Sequence, residues 1–429
     1  MTTRIQNVTA REIWDSRGRP TLEVDVKLTS GVCGRAVAPA GASMGRAEAI
    51  ELRDGGDRLA GLGVRRAVDV VEQQVNAALH GADTTDTADV DARLIALDAD
   101  PQKSQIGGNV MTAVSMAAAH AAAKVSGMPL WCWLSAGSPV HVPLPEIQIF
   151  GGGAHAGGRV DIQDFMVIAI GANSYAQALE WTADIYRSAG ALLECGGRRH
   201  GLADEGGYWP EFDSNEQGLE LLTQAIEDAG FVPGNDVGIA LDVAASELWR
   251  DSHYVLNSEQ RRCDRDEWVE LLCTWVQRFA VVSVEDPCAE HDLEGMRQFT
   301  EAVGPCVQVV ADDIVVTSAA RIRDAAEQGA GNAALIKPNQ VGTLTEARAA
   351  VDATRDVGWG AIASARSGET EDTTIVHLAV GWGLPQLKIG ALARGERTAK
   401  WNEGLRIAEH LSDGGQLPSA DEFPWGRRG

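Results

Sequence analysis

Five apolar runs in the second half of the chain each end on a side chain able to bind a metal or move a proton. The run 237–241 ends at Asp242, 281–284 at Glu285, 307–311 at Asp312 and 333–336 at Lys337. The fifth, 361–363, leads into Ser364, Ala365, Arg366 and Ser367. Three carboxylates without His or Cys offer hard oxygens, a set that suits Mg²⁺ or Mn²⁺ rather than Zn²⁺. A lysine beside such a cation and other positive groups has its ammonium form disfavoured, so it can act as a base near neutrality. The pattern points to proton abstraction assisted by a metal.

These residues need elements that bring them together. After a first interval of 43 residues (285 − 242) the spacing settles to 27, 25 and 27 (312 − 285, 337 − 312, 364 − 337). That is roughly the length of a strand, a covering helix and two loops. Short, non-alternating, β-branched runs at this interval read as parallel strands buried on both faces. In a βα-barrel the strand ends converge on one pocket.

Ahead of the barrel, residues 4–30 alternate with the strand period. Leu22, Val24, Val26 and Leu28 fall on one face, and Glu23, Asp25 and Lys27 on the other. The turn 15–20 makes this a hairpin. A small-residue run, 39–45, can move and bring backbone close to a ligand. Helical patterns follow at 63–79, 86–97 and 108–127, the last Ala-rich and read as buried. Three prolines within 139–145 mark a linker. Two domains are therefore expected, residues 1–138 as a small α+β domain and 139–429 as the barrel. The Gly-, Asp-, Ser- and Pro-rich tail from Leu411 reads as loosely ordered, with Arg427 and Arg428 solvated.

The chain has 429 residues, and 37 Lys and Arg against 61 Asp and Glu give a net charge of −24. That balance argues against nucleic acid or an anionic membrane as partner and makes a basic pocket notable, since a small anion would need it. No run approaches the roughly 20 apolar residues of a membrane span. The N-terminus lacks a secretory layout. Seven scattered cysteines read as reduced cytosolic thiols, mostly packing, so a cytoplasmic protein is expected.

The motifs resemble the enolase family over nearly the whole length. They are Asp15-Ser16-Arg17-Gly18, Gly41-Ala42-Ser43, Gly152-Gly153-Ala154-His155-Ala156-Gly157, Asp204-Glu205-Gly206-Gly207, Leu241-Asp242, Val284-Glu285-Asp286-Pro287 and Ala311-Asp312-Asp313. Ile336-Lys337-Pro338-Asn339-Gln340, Arg366-Ser367-Gly368-Glu369-Thr370 and Lys388-Ile389-Gly390-Ala391 continue the series. The resemblance implies an enolase-type barrel, a homodimer or larger homo-oligomer, and two Mg²⁺ ions. One ion would sit on Asp242, Glu285 and Asp312; the second would be held by Ser43 and the substrate's phosphate. It implies Lys337 as base, Lys388 as a contact to the substrate carboxylate, and Arg366 and Ser367 at the phosphate. Glu205 would help hydroxide leave, working with Asp164, and His155 would lie close to the substrate. The Lys base with one or two Mg²⁺ ions is the general pattern of this superfamily.

Four positions depart from the family. Ala365 stands where enolases carry His, Asp164 where they carry Glu, and Gly151 where they carry Asn; Pro338 follows the base. The ligands and base survive, whereas the changes fall on the leaving-group and phosphate side. An Asp is shorter than a Glu by roughly 1.5 Å, and a misplacement of about 1 Å can cost about a hundredfold in rate. The first expectation is therefore an enolate-forming site with a changed second half. It would act on a small phosphorylated or phosphono carboxylate, like the carboxyphosphonoenolpyruvate synthase of phosphonate and phosphinate pathways. The alternatives are ordinary phosphopyruvate hydratase and a non-catalytic binding protein of enolase shape.

Overall fold

A computed structural model of the chain describes residues 2–42, 44–411 and 415–427; Ser43 and Arg428 lie outside them. The first domain opens with an antiparallel sheet of β1 (Ile5–Trp14), β2 (Pro20–Leu28) and β3 (Cys33–Val37) in that order. Leu22, Val24, Val26 and Leu28 are buried as their alternation requires. The opposite face differs from expectation, because Glu23 and Asp25 are buried too. Arg11 on β1 and Arg35 on β3 close over them as ion pairs, and only Lys27 stays exposed. The charges on that face serve each other across strands rather than facing water. The helix Gly108–Val125 packs on β2 and β3 and is buried along most of its length, as its Ala-rich sequence implies.

The second domain is a closed eight-stranded barrel. Its first two strands are β4 (Leu144–Gly151) and β5 (Asp164–Ile168). A hairpin, β6 (Arg199–Leu202) and β7 (Tyr208–Pro210), extends the sheet beside β4. The barrel continues with β8 (Gly238–Asp242). A small antiparallel sheet follows, made of β9 (Trp249–Arg250), β10 (His253–Leu256) and β11 (Arg261–Cys263). Then come β12 (Val281–Glu285), β13 (Gln308–Ala311), β14 (Ala333–Ile336), β15 (Gly360–Ser364) and β16 (Gln386–Gly390).

From β8 to β16 the barrel strands are parallel, and β16 closes the ring by pairing in parallel with β4. Only β5 runs the other way, antiparallel to both β4 and β8. The small sheet explains why the interval from Asp242 to Glu285 is longer than the rest. Because β5 is reversed, its first residue, Asp164, shares a level with Asp242, the last residue of β8.

The tail departs from its expected looseness. Phe423 and Trp425 are buried and stack at 4.4 Å between ring centroids. They pack with Leu144, Met166, Ile168, Ala240 and Val282, at the end of the barrel opposite Asp242 and Glu285. Two apolar rings outweigh the polar composition of the segment carrying them. Of the seven cysteines only Cys263 and Cys288 are fully buried, so fewer serve as core filler than the scatter implies.

Candidate active site

Each strand end is set by apolar residues below it and a polar residue at the rim. Asp242, Glu285 and Asp312 end β8, β12 and β13 or directly follow them, and Lys337 follows β14. All four are buried. Lys388 on β16 donates to Asp242 Oδ2 at 2.8 Å and to Glu285 Oε2 at 2.5 Å. Lys337 Nζ pairs with Asp312 Oδ2.

Burial opposes ionisation of Asp242, but Lys388 outweighs it and holds this carboxyl below its usual range. Burial and the neighbouring Asp242 push Glu285 well above its range. Burial lowers the Lys337 ammonium, yet Asp312 more than offsets this and raises it. That is the reverse of the expected neutral base. The cause is the ion pair, and a cation on Asp312 would both take up that carboxylate and repel the ammonium.

The donor chemistry fits a hard divalent cation. Burial and the neighbouring Asp242 disfavour the ionised form of Glu285, and a divalent cation would favour it. Asp242, Glu285 and Asp312 could hold such an ion. Among the described residues, the groups whose ligand atoms already lie within 4.8 Å of one another are different ones: His155 with Asp164 and Glu205, and Asp286 with Asp312 and Asp313. Asp286 has φ of +42°, a conformation costly for a side-chain-bearing residue. Its carboxylate accepts the Asp312 and Asp313 amides at 2.9 and 3.0 Å, which ties the ends of β12 and β13 together.

A second group of polar residues lines the same cavity as Lys337. His155 Nδ1 donates to Asp164 Oδ1 at 2.9 Å, and its Nε2 shares a 2.8 Å hydrogen bond with Ser367 Oγ. Glu205 Oε1 lies 3.7 Å from the same Nε2. Burial by itself would lower the imidazolium, but Asp164 and Glu205 overrule it and push it up to about 9. Gln148 Nε2 also donates to Asp164 Oδ1, and its Oε1 accepts the Gly207 amide at 2.7 Å. A Cβ at Gly151 would stand 2.4 Å from Ala203 Cβ, so the departure at that position reflects a contact with no room for Asn.

The phosphate-side residues are anchored from below and from the first domain. Arg397, fully buried, donates to the carbonyls of Arg366 (2.7 Å), Ile389 (2.9 Å) and Ser367. Glu48, from the first domain, forks onto Arg366 Nη1 and Nη2 at 3.1 and 3.2 Å. It also accepts Gln340 Nε2 at 3.2 Å, and that amide reaches Asp312 Oδ1 at 3.0 Å. The loop before Ser43 is docked, since Ala40 and Gly368 exchange backbone hydrogen bonds of 2.9 and 2.8 Å.

These groups enclose a cavity of ≈ 280 Å³ lined by Ala42, His155, Gln163, Asp164, Glu205, Asp242, Lys337, Ser364, Ala365, Arg366, Ser367 and Lys388. The structure thus gathers every candidate residue except Glu285 and Asp312, which lie one contact behind its wall on Lys388 and Lys337, and Ser43, which lies outside the described residues. Sequence reasoning missed Glu48, Gln148, Gln163, Gln340 and Arg397. Two carried a signal: Gln340 stands inside one of the family motifs, and Gln148 is a polar residue between Ile147 and Ile149 of an apolar run.

Comparison with known proteins agrees with this architecture. The family described as "Enolase, N-terminal domain" matches residues 5–134, and "Enolase, C-terminal TIM barrel domain" matches residues 139–423. A protein named Enolase 1 from Desulfitobacterium hafniense (strain Y51) is 43% identical over 423 residues, covering 98% of this chain and 97% of its own.

Proposed function

The chain belongs to the enolase family, and from that premise we propose that it is a carbon–oxygen lyase that converts 2-phosphoglycerate to phosphoenolpyruvate. The observation that carries this reading is one small cavity lined together by Lys337, His155, Glu205, Lys388, Arg366 and Ser367. Three cationic side chains around one cavity suit a small phosphorylated carboxylate in a chain whose net charge is −24.

In this reading Lys337 removes the proton next to the substrate carboxylate, and Lys388 steadies that carboxylate. Arg366, whose fork is fixed by Glu48, offers its positive charge to the phosphate, with Ser367 beside it. The wall of His155, Glu205 and Asp164 receives the departing hydroxide as water. Mg²⁺ on Asp242, Glu285 and Asp312, with a second ion shared by Ser43 and the substrate phosphate, would supply the charge that stabilises the enolate. The protein would work as a cytoplasmic homo-oligomer.

The sequence put a phosphonate-type reaction first. The full-length likeness to a protein named Enolase 1 supports ordinary dehydration better, and we place that first. A second reading, a changed second half of carboxyphosphonoenolpyruvate synthase type, rests on two observations. Ala365 leaves the cavity without an imidazole, and Asp164 bonds to His155 and Gln148 instead of Glu205.

An assay with 2-phosphoglycerate and Mg²⁺, following phosphoenolpyruvate by ultraviolet absorbance, tests the choice. Turnover at a rate typical of central metabolism, roughly 1–10³ s⁻¹, supports dehydration. Exchange of the α-proton in D₂O that far outpaces product formation favours the second reading. Neither signal would sink both readings for this substrate.

A further inference from the structure

Beneath the site lies a carboxyl that the reaction does not use. Side chains alternate along a strand, so Glu146 shares the face of β4 that carries Gln148, and Gln386 shares the face of β16 that carries Lys388. Gln148 reaches the site through Asp164, and Lys388 lines the cavity. Glu146 and Gln386 therefore stand one step lower on the inner face of the barrel. The strand register sets Glu146 across from Lys388 itself, and Glu146 is only 1% exposed.

Among the described residues, the Glu146 side chain has one hydrogen-bonding partner, Gln386, and that amide is half satisfied. Gln386 Nε2 donates to Glu146 Oε2 at 2.5 Å, while Gln386 Oε1 is buried without a partner. A carboxylate only accepts, so it leaves that oxygen orphaned. A carboxylic acid can accept the amide N–H and donate its own O–H to the amide oxygen, which satisfies both groups. The surrounding charges favour the same form. Lys388 already contacts Asp242 at 2.8 Å and Glu285 at 2.5 Å, and it faces Asp164 at 4.0 Å. A fourth negative charge on the same ammonium is disfavoured by these like-charged neighbours. We propose that Gln386 holds Glu146 as a neutral acid, and that this neutrality keeps the positive charge of Lys388 available to the substrate's carboxylate.

The inference rests on the dehydration reading above, in which Lys388 steadies that carboxylate, and deepens it. Glu146 touches no substrate atom; it acts through Lys388, as a positioning residue whose charge matters more than its shape. The charged groups facing it are Lys388 on β16, Asp242 on β8 and Asp164 on β5. Burial pushes the carboxyl up to about 7, with Asp242 and Asp164 adding to it and Lys388 and Gln386 opposing it. The acid is neutral below that value and ionised above it. Ionisation sets a negative charge beneath Lys388, which competes for the ammonium that an anionic substrate needs. Substrate binding and ionisation of Glu146 therefore oppose each other, and by linkage binding takes up a proton wherever the acid is otherwise ionised.

The test measures kcat and KM for 2-phosphoglycerate with Mg²⁺ from pH 6 to pH 9 in the unmodified protein, Glu146→Gln and Glu146→Leu. At pH 6 Glu146→Gln, a neutral group of the same shape, should keep the parent's KM within about twofold. Between pH 6 and pH 8 the parent's KM should rise about tenfold relative to that of Glu146→Gln, the titration of one group at about 7. The kcat ratio should stay within about twofold, because only uniform binding changes. Comparing the two proteins cancels the titration of the substrate phosphate, which both share. Glu146→Leu, also uncharged, should follow the pH profile of Glu146→Gln but melt at a lower temperature, since Gln386 loses its partner.

A KM ratio that stays constant across this range would overturn the proposal. So would a KM about tenfold higher in Glu146→Gln at pH 6, which would mean that Lys388 relies on the carboxylate form. Infrared difference spectra of the Mg²⁺-loaded proteins, parent against Glu146→Gln, read the acid without any turnover. A protonated-carboxyl band present at pH 6 and lost by pH 9 supports the proposal, and its absence at pH 6 overturns it. A parent that does not convert 2-phosphoglycerate removes the dehydration reading and the effect on KM with it, and the infrared band then decides by itself whether Glu146 is held neutral.

Discussion

Among the described residues Lys337 has one ionic partner, Asp312, which lies behind the cavity wall and is also a candidate metal ligand. Lys337→Ala should therefore abolish α-proton exchange and elimination together, by about 10²–10⁴-fold or more, since without a base no enolate forms. Following both signals in D₂O checks this, and surviving exchange would place the base elsewhere. Asp312→Ala should also weaken Mg²⁺ binding sharply in a calorimetric titration, because two carboxylates replace three. The parent's melting temperature should rise with Mg²⁺ and the variant's should not. The residues of this core were legible because each ends an apolar run. Glu48 and Arg397 were not, because they act on atoms far away in the chain: Glu48 lies 318 residues from Arg366. Only folding tells which carbonyl or guanidinium a distant polar side chain will meet.

Among the elements, the parallel strands from β8 to β15 could be read, and the ones that close the ring could not. β4 carries Pro145, Glu146 and Gln148 among its apolar residues, which blurs a buried strand, and β5 is reversed, which no local pattern announces. Glu146 is the clearest exception to an apolar barrel. It is buried, accepts Gln386 Nε2 at 2.5 Å, and burial pushes it up to about 7 even though Lys388 pulls it down. Its folded value exceeds the ordinary 4.5, so its stabilisation is fully present below about 4.5 and is lost as pH rises through about 7. Glu146→Gln should leave the melting temperature unchanged near pH 5 and raise it near pH 8. A gain equal at both pH values would refute this. The tail was misread because composition hides two rings in a polar segment. Trp425→Ala should cost about 3–5 kcal/mol in urea unfolding. Activity of the folded fraction should be kept, since Trp425 sits at the far end of the barrel from the site.

The whole molecule is joined at the site by a charge. Glu48 of the first domain lies on Arg366 of the second, buried on both sides. Removing one partner of such a pair leaves a bare charge inside, so Glu48→Ala should lose roughly 3–5 kcal/mol. Inorganic phosphate, able to fill the same guanidinium fork, should restore part of that loss and stabilise the variant more than the parent. Thermal melts with and without phosphate decide it, and equal shifts would show that the fork stays closed to anions. The barrel's closure has a consequence for how the chain comes into being. Leu144 on β4 is hydrogen-bonded across from Gln386 on β16, which the ribosome adds 242 residues later (386 − 144). At about 5–20 residues per second the first barrel strand waits roughly 10–50 s with one edge unpaired. The rings that cap the barrel floor come after β16 in the chain and are made later still. Throughout that interval the nascent chain is a small domain tethered to an open-seamed sheet, the state in which edge-to-edge association threatens most.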